Sequence, residues 1–247
     1  MRAAAISDIH ANLPAFEAVL AAIDAAGVEE IWCLGDVVGY GADPDACAQL
    51  AQDRCDVLLA GNHDLAALGE IDISSFSPAA GDAIRWTREN ATEHTLDLLR
   101  PLEASGRREE IGLFHASPRD PVWEYVLDTV QAEAGMDAHD DRVALIGHSH
   151  VALYFSRSAG NGPGAIRAEA AAEGDTLDLA DDGSWLVNPG SVGQPRDADP
   201  RAAWLELDTE ERTARFHRVA YDVDSAAASI VRAGLPAHLA ERLYLGQ

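Results

Sequence analysis

The chain has 247 residues, of which 47% are hydrophobic and 24% charged. That balance is ordinary for a globular protein and excludes a disordered chain, a collagen-like fibre, a coiled coil or a membrane bundle as the overall architecture. Its 42 acidic residues outweigh 18 basic ones for a formal net charge of −24, and every basic residue is Arg; such a field repels nucleic acid and anionic membranes unless a local positive site overrides it.

In chain order, Arg2–Ser7 reads as a buried strand. Pro14–Ala26 follows as a helix, with Phe16, Val19, Leu20 and Ile23 at helical spacing and Pro14 suited to a first turn. Glu30–Leu34 is a second strand, Asp43–Asp53 a helix opened by Asp-Pro, and Asp56–Ala60 a third strand. Residues 64–104 are mostly helical, punctuated by Pro78 and Pro101. Glu109–Phe114 and Arg142–Ile146 are two further strands. Beyond His150 the long helices stop. Val151–Arg157, Ala165–Ala170, Gly183–Val187, Ala202–Leu207 and Thr213–Val219 read as strands, with a turn or flexible loop over Ser158–Gly164. Val223–Leu245 returns to helix, broken at Pro236. A βαβ-like first half and a strand-rich second half predict one domain over residues 1–247, with two packed sheets flanked by helices.

The opening MRAAAISDIH is broken by Asp8, short of the about 7–15 apolar residues of a signal peptide. No run reaches the roughly 18 apolar residues of a membrane helix. Cys33, Cys47 and Cys55 are odd in number and lack C-x-x-C spacing. Together these predict a reducing, cytoplasmic setting and no membrane partner.

The polar residues fall where the early strands end. AAAIS is followed by Asp8 and His10, IWCLG by Asp36, and VLLAG by Asn62, His63 and Asp64. EIGLF is followed by His115, and VALIG by His148 and His150. Ligands of open α/β sheets bind beyond the carboxyl ends of the strands. Asp8/His10 and His148/His150 are i, i+2 pairs, which an extended chain turns to the same side. Gly35, Gly61 and Gly147 precede the ligands and let the chain turn sharply there. Taken singly, Asp8 could cap the next helix, Gly61–Asp64 could be a polar turn, and the histidines could be ordinary. Five strand ends carrying one chemistry point instead to a metal site.

In this order the residues resemble the calcineurin-like metallophosphoesterases. The segments SDIHANLPA, GDVVGYGADP and NPGSVGQPR are similar to the small bacterial and archaeal branch, described loosely as phosphodiesterases or phosphoprotein phosphatases. The resemblance implies an α/β (α+β) fold, a four-layer αββα sandwich of two mixed β-sheets flanked by helices. It implies that Asp8, His10 and His150 hold one metal, that Asn62, His115 and His148 hold a second, and that Asp36 bridges them. His63 would face the substrate, oriented by Asp64. Relatives that lack this His serve as binding scaffolds; this chain keeps it.

The chemistry needs those residues. Two divalent cations about 3.5–4 Å apart neutralise phosphate oxygens and acidify a bridging water toward hydroxide, the expected nucleophile. His63, with an unperturbed pKa near 6.5, is the natural general acid for the leaving oxygen. An all-nitrogen and oxygen donor set suits Mn, with Fe, Ni, Zn or Co as alternatives. The expected activity is hydrolysis of a small phosphoester, by a phosphodiesterase or phosphatase. Protein phosphatase and dinucleoside polyphosphate hydrolase share the same metal core and stay open, as does a homo-oligomer. A metal-binding scaffold and a nuclease rank lower, since the charge disfavours nucleic acid. Arg196 is a candidate phosphate contact and Tyr40 a candidate pocket residue. The loop Asn188–Arg196 is read either as structural or as the crevice rim, and Trp123 and Tyr125 as core or as pocket wall. His94, His139, His217 and His238 match no motif.

Overall fold

Ala4 and Ile6 of the first strand face one apolar cluster, while Ala3 and Ala5 face another. That alternation, with burial on both faces, places β1 (Arg2–Ile6) at the centre of a layered structure. The protein is described by a computed structural model for residues 1–159, 166–180 and 182–247. Most of the turn expected over residues 158–164 lies outside the described residues.

After β1 come α1 (Leu13–Ala26), β2 (Glu30–Cys33), α2 (Pro44–Arg54), β3 (Val57–Leu58) and α3 (Asn62–Leu68). Then follow α4 (Pro78–Asn90), α5 (Glu93–Leu99), β4 (Ser105–Arg108), β5 (Ile111–Phe114), α6 (Thr129–Met136) and β6 (Val143–Leu145). The second half contributes β7 (Leu153–Arg157), β8 (Ile166–Ala170), β9 (Thr176–Asp178), β10 (Ser184–Asn188), β11 (Ala202–Asp208) and β12 (Thr213–Val219). Helices α7 (Val223–Arg232) and α8 (Ala237–Glu241) close the order, followed by a 3₁₀ turn at Arg242–Tyr244.

The strands form two six-stranded sheets, ordered β3-β2-β1-β11-β12-β9 and β4-β5-β6-β10-β7-β8. β1 runs parallel to β2 and antiparallel to β11, and β10 runs parallel to β6 and antiparallel to β7, so both sheets are mixed. Trp32, Leu34, Leu205 and Phe216 from one sheet meet Leu113, Leu145 and Val187 from the other in a core between them. Phe16, Val19 and Ile23 of α1 cover the outer face of the first sheet beside Trp204. Ala132 and Met136 of α6 cover the outer face of the second beside Phe155 and Leu186. The four-layer arrangement expected from the sequence is therefore present. Helix α1 is capped by Asn12, whose side chain accepts from the Ala15 N–H at 3.2 Å, and it ends at left-handed Gly27. Asp8 is thus free of the capping duty it could have had.

Two strands escape the hydrophobic reading. β4 is exposed along its whole length and reads SGRR, and β9 is only three residues long. Both lie at sheet edges, where the pattern of buried residues that marks a strand is weakest.

Candidate metal centre

β1, β2 and β3 are parallel neighbours in one sheet, and β5 and β6 are parallel neighbours in the other. Their carboxyl ends lie at one end of the sandwich and bring the seven expected ligands into a buried cluster. Two groups of ligand atoms lie within 4.8 Å of one another: Asp8, His10, Asp36 and His150, and Asp36, His115 and His148. Asp36 belongs to both. Its Oδ2 stands 3.5 Å from His10 Nε2 and 3.7 Å from His115 Nε2. Asp8 Oδ1 is 3.5 Å from His150 Nε2. Asn62 joins the second group, with its Oδ1 3.2 Å from His115 Nε2.

The backbone is bent to achieve this. Asp8, His10, Asp36, His148 and His150 all have left-handed φ angles, between 50° and 62°. Each such residue costs of order 1–3 kcal/mol, and this strain clusters at functional sites. The glycines before Asp36, Asn62 and His148 leave no room for a side chain. A Cβ on Gly61 would lie 2.0 Å from Asp36 Oδ1, and one on Gly147 would lie 2.0 Å from Ser7 Oγ.

Hydrogen bonds fix which nitrogen of each imidazole faces inward. Nδ1 of His10, His115 and His150 contacts the carbonyl oxygens of Val38, Leu34 and Gln194, at 3.1, 3.0 and 2.6 Å. A carbonyl only accepts, so each Nδ1 carries the proton and each Nε2 presents a lone pair to the cluster. His148 is reversed: its Nε2 donates to Trp123 O at 3.2 Å, leaving Nδ1 to face inward. Such outer-shell donation is the usual partner of metal ligation.

The inward atoms then have no one to bond. His10 Nε2 and His150 Nε2 stand 3.1 Å apart with lone pairs facing. Asp8 Oδ1 and Asp36 Oδ2 are buried without a hydrogen-bond partner. Burial, opposed by His115 and reinforced by Asp36, pushes Asp8 up to about 7. Burial and then Asp64 raise Asp36 well above the carboxylate range. Burial likewise holds His10, His148 and His150 well below the ordinary imidazole value, and His115 below it. Neutral imidazoles and carboxylates that resist ionisation, all aimed at one space, fit divalent cations.

His63 sits beside this cluster and outside both ligand groups. Its ring packs against Tyr40, His10 and Phe76 at centroid distances of 4.4, 4.8 and 5.1 Å. Its Nδ1 is buried and has no hydrogen-bond partner. The orienting bond expected from Asp64 is not made. Asp64 instead accepts from the N–H groups of Gly61, Val37 and Val38 at 2.9, 3.2 and 3.0 Å. It ties the loop after β2 to the start of α3, and an acid at that helix start suits the dipole as well. The rings around His63 hold its orientation.

The loop 188–196 resolves into a brace with one functional end. Asn188 Nδ2 donates to Gly147 O at 2.7 Å and Ser191 Oγ to Asp8 O at 2.8 Å. The loop thus joins the Asp8 turn of one sheet to the His148 turn of the other. A Cβ on Gly193 would strike Ile9 O at 1.8 Å, so the approach is as close as a backbone permits. Arg196, at the loop's end, lines a cavity of about 350 Å³ over the cluster. Tyr40, Phe76, Trp123, Tyr125 and Arg242 complete its walls. Trp123 and Tyr125 are therefore pocket residues, and Tyr125 stacks on His148 at 4.1 Å. Sequence reasoning did not single out Phe76 or Arg242, which stand far from any motif. A larger cavity, about 610 Å³, lies at the opposite end of the strands beside Met1, Ile111 and Val143. It contains none of the clustered ligands, so size alone does not mark the site. His94, His139, His217 and His238 lie outside both ligand groups.

A buried cluster of Asp, His and Asn stands at the strand ends of a two-sheet sandwich, and its Asp and His groups could hold metal ions. The chain belongs to the calcineurin-like phosphoesterase superfamily: the sequence profile of that domain matches residues 1–210. Members of this superfamily are generally hydrolases of phosphoesters that use divalent metals. The chain is 36% identical over 254 aligned positions to an uncharacterized protein of Methanocaldococcus jannaschii, covering 99% of this chain and 98% of that one. It superposes on the crystal structure of a metallophosphoesterase from Sphaerobacter thermophilus with a TM-score of 0.89 and 36% identity, over 100% of this chain and 99% of that one. A hypothetical protein from Pyrococcus horikoshii shares the fold, with a TM-score of 0.79 at 20% identity, over 100% of this chain and 98% of that one. No helix among the described residues is long and apolar enough to cross a membrane.

Proposed function

We propose that this chain hydrolyses small phosphoesters with two divalent cations, one held by Asp8, His10 and His150, the other by Asn62, His115 and His148, with Asp36 shared. The observation that carries this reading is the presence of Asp36 in both ligand groups. Cations at such a pair of sites neutralise phosphate oxygens and activate water for in-line attack. Manganese is the ion proposed for these nitrogen and oxygen donors, with Fe, Ni, Zn or Co as alternatives.

The protein's own groups do the rest. Arg196 lines the cavity and offers a guanidinium to phosphate oxygens. Tyr40 walls the same cavity and holds His63 in place by ring contact. His63 serves as the general acid. Burial holds it neutral in the empty pocket, with Arg196 adding to the effect. An anionic substrate offsets the charge of Arg196 and favours the imidazolium, so His63 takes a proton from water as phosphate arrives and passes it to the leaving oxygen. Phe76, Trp123 and Tyr125 form an aromatic wall on one side.

The test is turnover of a panel of aryl and alkyl mono- and diesters, nucleotides and phosphopeptides by protein loaded with Mn²⁺. Metal-dependent release of phosphate or alcohol from at least one small ester is expected. Negligible turnover of every member by fully loaded protein would return the chain to the role of a metal-binding scaffold.

A further inference from the structure

Tyr40 has two kinds of neighbour. His10 and His63 lie against it at centroid distances of 4.7 and 4.4 Å. The guanidiniums of Arg196 and Arg242 lie over its ring at 5.6 and 5.9 Å. The ring is pinned in place. Gly39 and Gly41 flank it, its own φ is 57°, and the Gly41 N–H donates to His10 O at 3.0 Å. Tyr40 therefore contacts one ligand imidazole, the proposed acid and a pair of cations that share its ring.

The two arginines arrive by different routes. Arg196 follows the brace loop, and its N–H donates to His150 O at 3.0 Å, so it belongs to the metal end of the cavity. Arg242 comes from the 3₁₀ turn after α8, beyond the residues 1–210 matched by the family profile. Leu239, Ala240 and Leu243 anchor that turn in an apolar cluster with Tyr40, Ala226 and Ile230. Neither guanidinium has an Asp or Glu partner among the described ion pairs, in a chain with 42 acidic residues. Arg196 Nη2 donates to Gln194 Oε1 at 2.9 Å, while its buried Nε has no partner. Arg242 Nε donates to the Gln247 carbonyl, which leaves its other N–H groups to the cavity. Burial, followed by Arg196, lowers the proton affinity of Arg242, so the pair is held together against its own repulsion.

An anion between the two guanidiniums relieves that repulsion, and phosphate matches their forked donors. We propose that Arg242, with Arg196, receives a second phosphate of the substrate, so that the preferred phosphoester carries another phosphate beside the one cleaved. This rests on the metal end of the same cavity holding the first. Arg242 is then a specificity-determining residue, supplied by a segment that carries none of the family motifs.

Propylphosphonate and propane-1,3-diyl bisphosphonate test this on the manganese-loaded protein by calorimetry, because their C–P bonds are not hydrolysed and binding is read without turnover. The wild-type protein should bind the bisphosphonate about tenfold or more tightly than the monophosphonate, beyond the twofold statistical factor of having two identical ends. Arg242→Gln should abolish the preference, lowering bisphosphonate affinity by that factor and monophosphonate affinity by much less. Equal wild-type affinities overturn the proposal, and this comparison stands even if the variant fails to fold. A preference that survives in Arg242→Gln overturns it too, as does an equal loss for both probes. Preference in binding without turnover of any ester would count against the hydrolase reading alone. Turnover without preference would count against the second phosphate alone.

Discussion

The two oxygens of the Asp36 carboxylate have different tasks, and His63 takes one of them. Asp36 Oδ1 accepts from the His63 backbone N–H at 2.8 Å, whereas Oδ2 has no hydrogen-bond partner and faces His10 and His115. Asp36 thus couples the start of α3, and with it the proposed acid, to both ligand groups. Asp36→Asn should lower the content of both metals and nearly abolish activity. Asn62→Ala should lower one metal and leave measurable turnover. Elemental analysis of the two purified variants decides between a shared and an unshared role; equal metal content in both would remove the bridge.

Gly39 makes room for His63. A methyl group there would lie 2.3 Å from His63 Nδ1, and the φ of +91° already disfavours any side chain. Gly39→Ala should push the imidazole aside, lose activity on alkyl esters as His63→Gln does, and keep its metals. It should also be about 1–2 kcal/mol less stable, from backbone strain alone. Unchanged turnover in a folded Gly39→Ala protein would show that the placement of His63 does not matter.

If His63 is the general acid, its value depends on the leaving group. A nitrophenolate departs unaided, whereas an alkoxide needs a proton. His63→Gln should cost most of ~10²–10⁴-fold on alkyl esters and far less on nitrophenyl esters. Equal losses on both would make it a phosphate or metal-positioning residue.

The pKa directions predict a proton count. Asp8, pushed up to about 7, chiefly by burial, holds its proton below neutrality in the metal-free protein. The surrounding imidazoles are held neutral and have none to give, while Asp36, raised as well, adds to the total, so the difference between pH values is what reports Asp8. A cation binds ionised Asp8, so loading at about pH 6 expels a proton that loading at about pH 8.5 does not, and affinity rises with pH through 7. Calorimetry of metal binding in two buffers of unlike ionisation enthalpy measures the release. Equal release at both pH values would remove Asp8 from the coordination.

Chelation should also destabilise the fold. Cations that bind only the native state add roughly 2.7 kcal/mol per site at a hundredfold excess over Kd, which is roughly 5–10 °C in Tm for a chain of this length. A melting temperature that does not move in metal-free buffer would argue that the cluster binds nothing.

Much of this site is legible in the sequence because each ligand follows a short apolar run that must be a buried strand. The end of that run fixes where Asp8, Asp36 or His148 emerges. The braces are less legible. Asn188 and Ser191 read as turn residues, since nothing local reveals that they reach Gly147 and the Asp8 carbonyl from far along the chain. Asp64 misleads for the opposite reason: its neighbour in sequence is His63, yet its hydrogen bonds go to backbone groups from another loop. Arg242 is invisible because its meaning depends on Tyr40, about two hundred positions away, and on a helix whose apolar residues look like any other. β4 shows no buried pattern because it has no buried residue.

The ligand groups and their brace join distant parts of the chain, and that fixes an order of events. His10 meets His150 across 140 positions, and Ser191 meets Asp8 across 183. A nascent chain emerging from the ribosome exposes Asp8, His10 and Asp36 long before His148 exists to complete the cluster. A complete set of ligands for an ion therefore exists only once the two sheets have docked. Contacts made after the rate-limiting step slow unfolding and leave the folding rate almost unchanged. Cations added to refolding protein should then lengthen the lifetime of the finished molecule without hastening its birth.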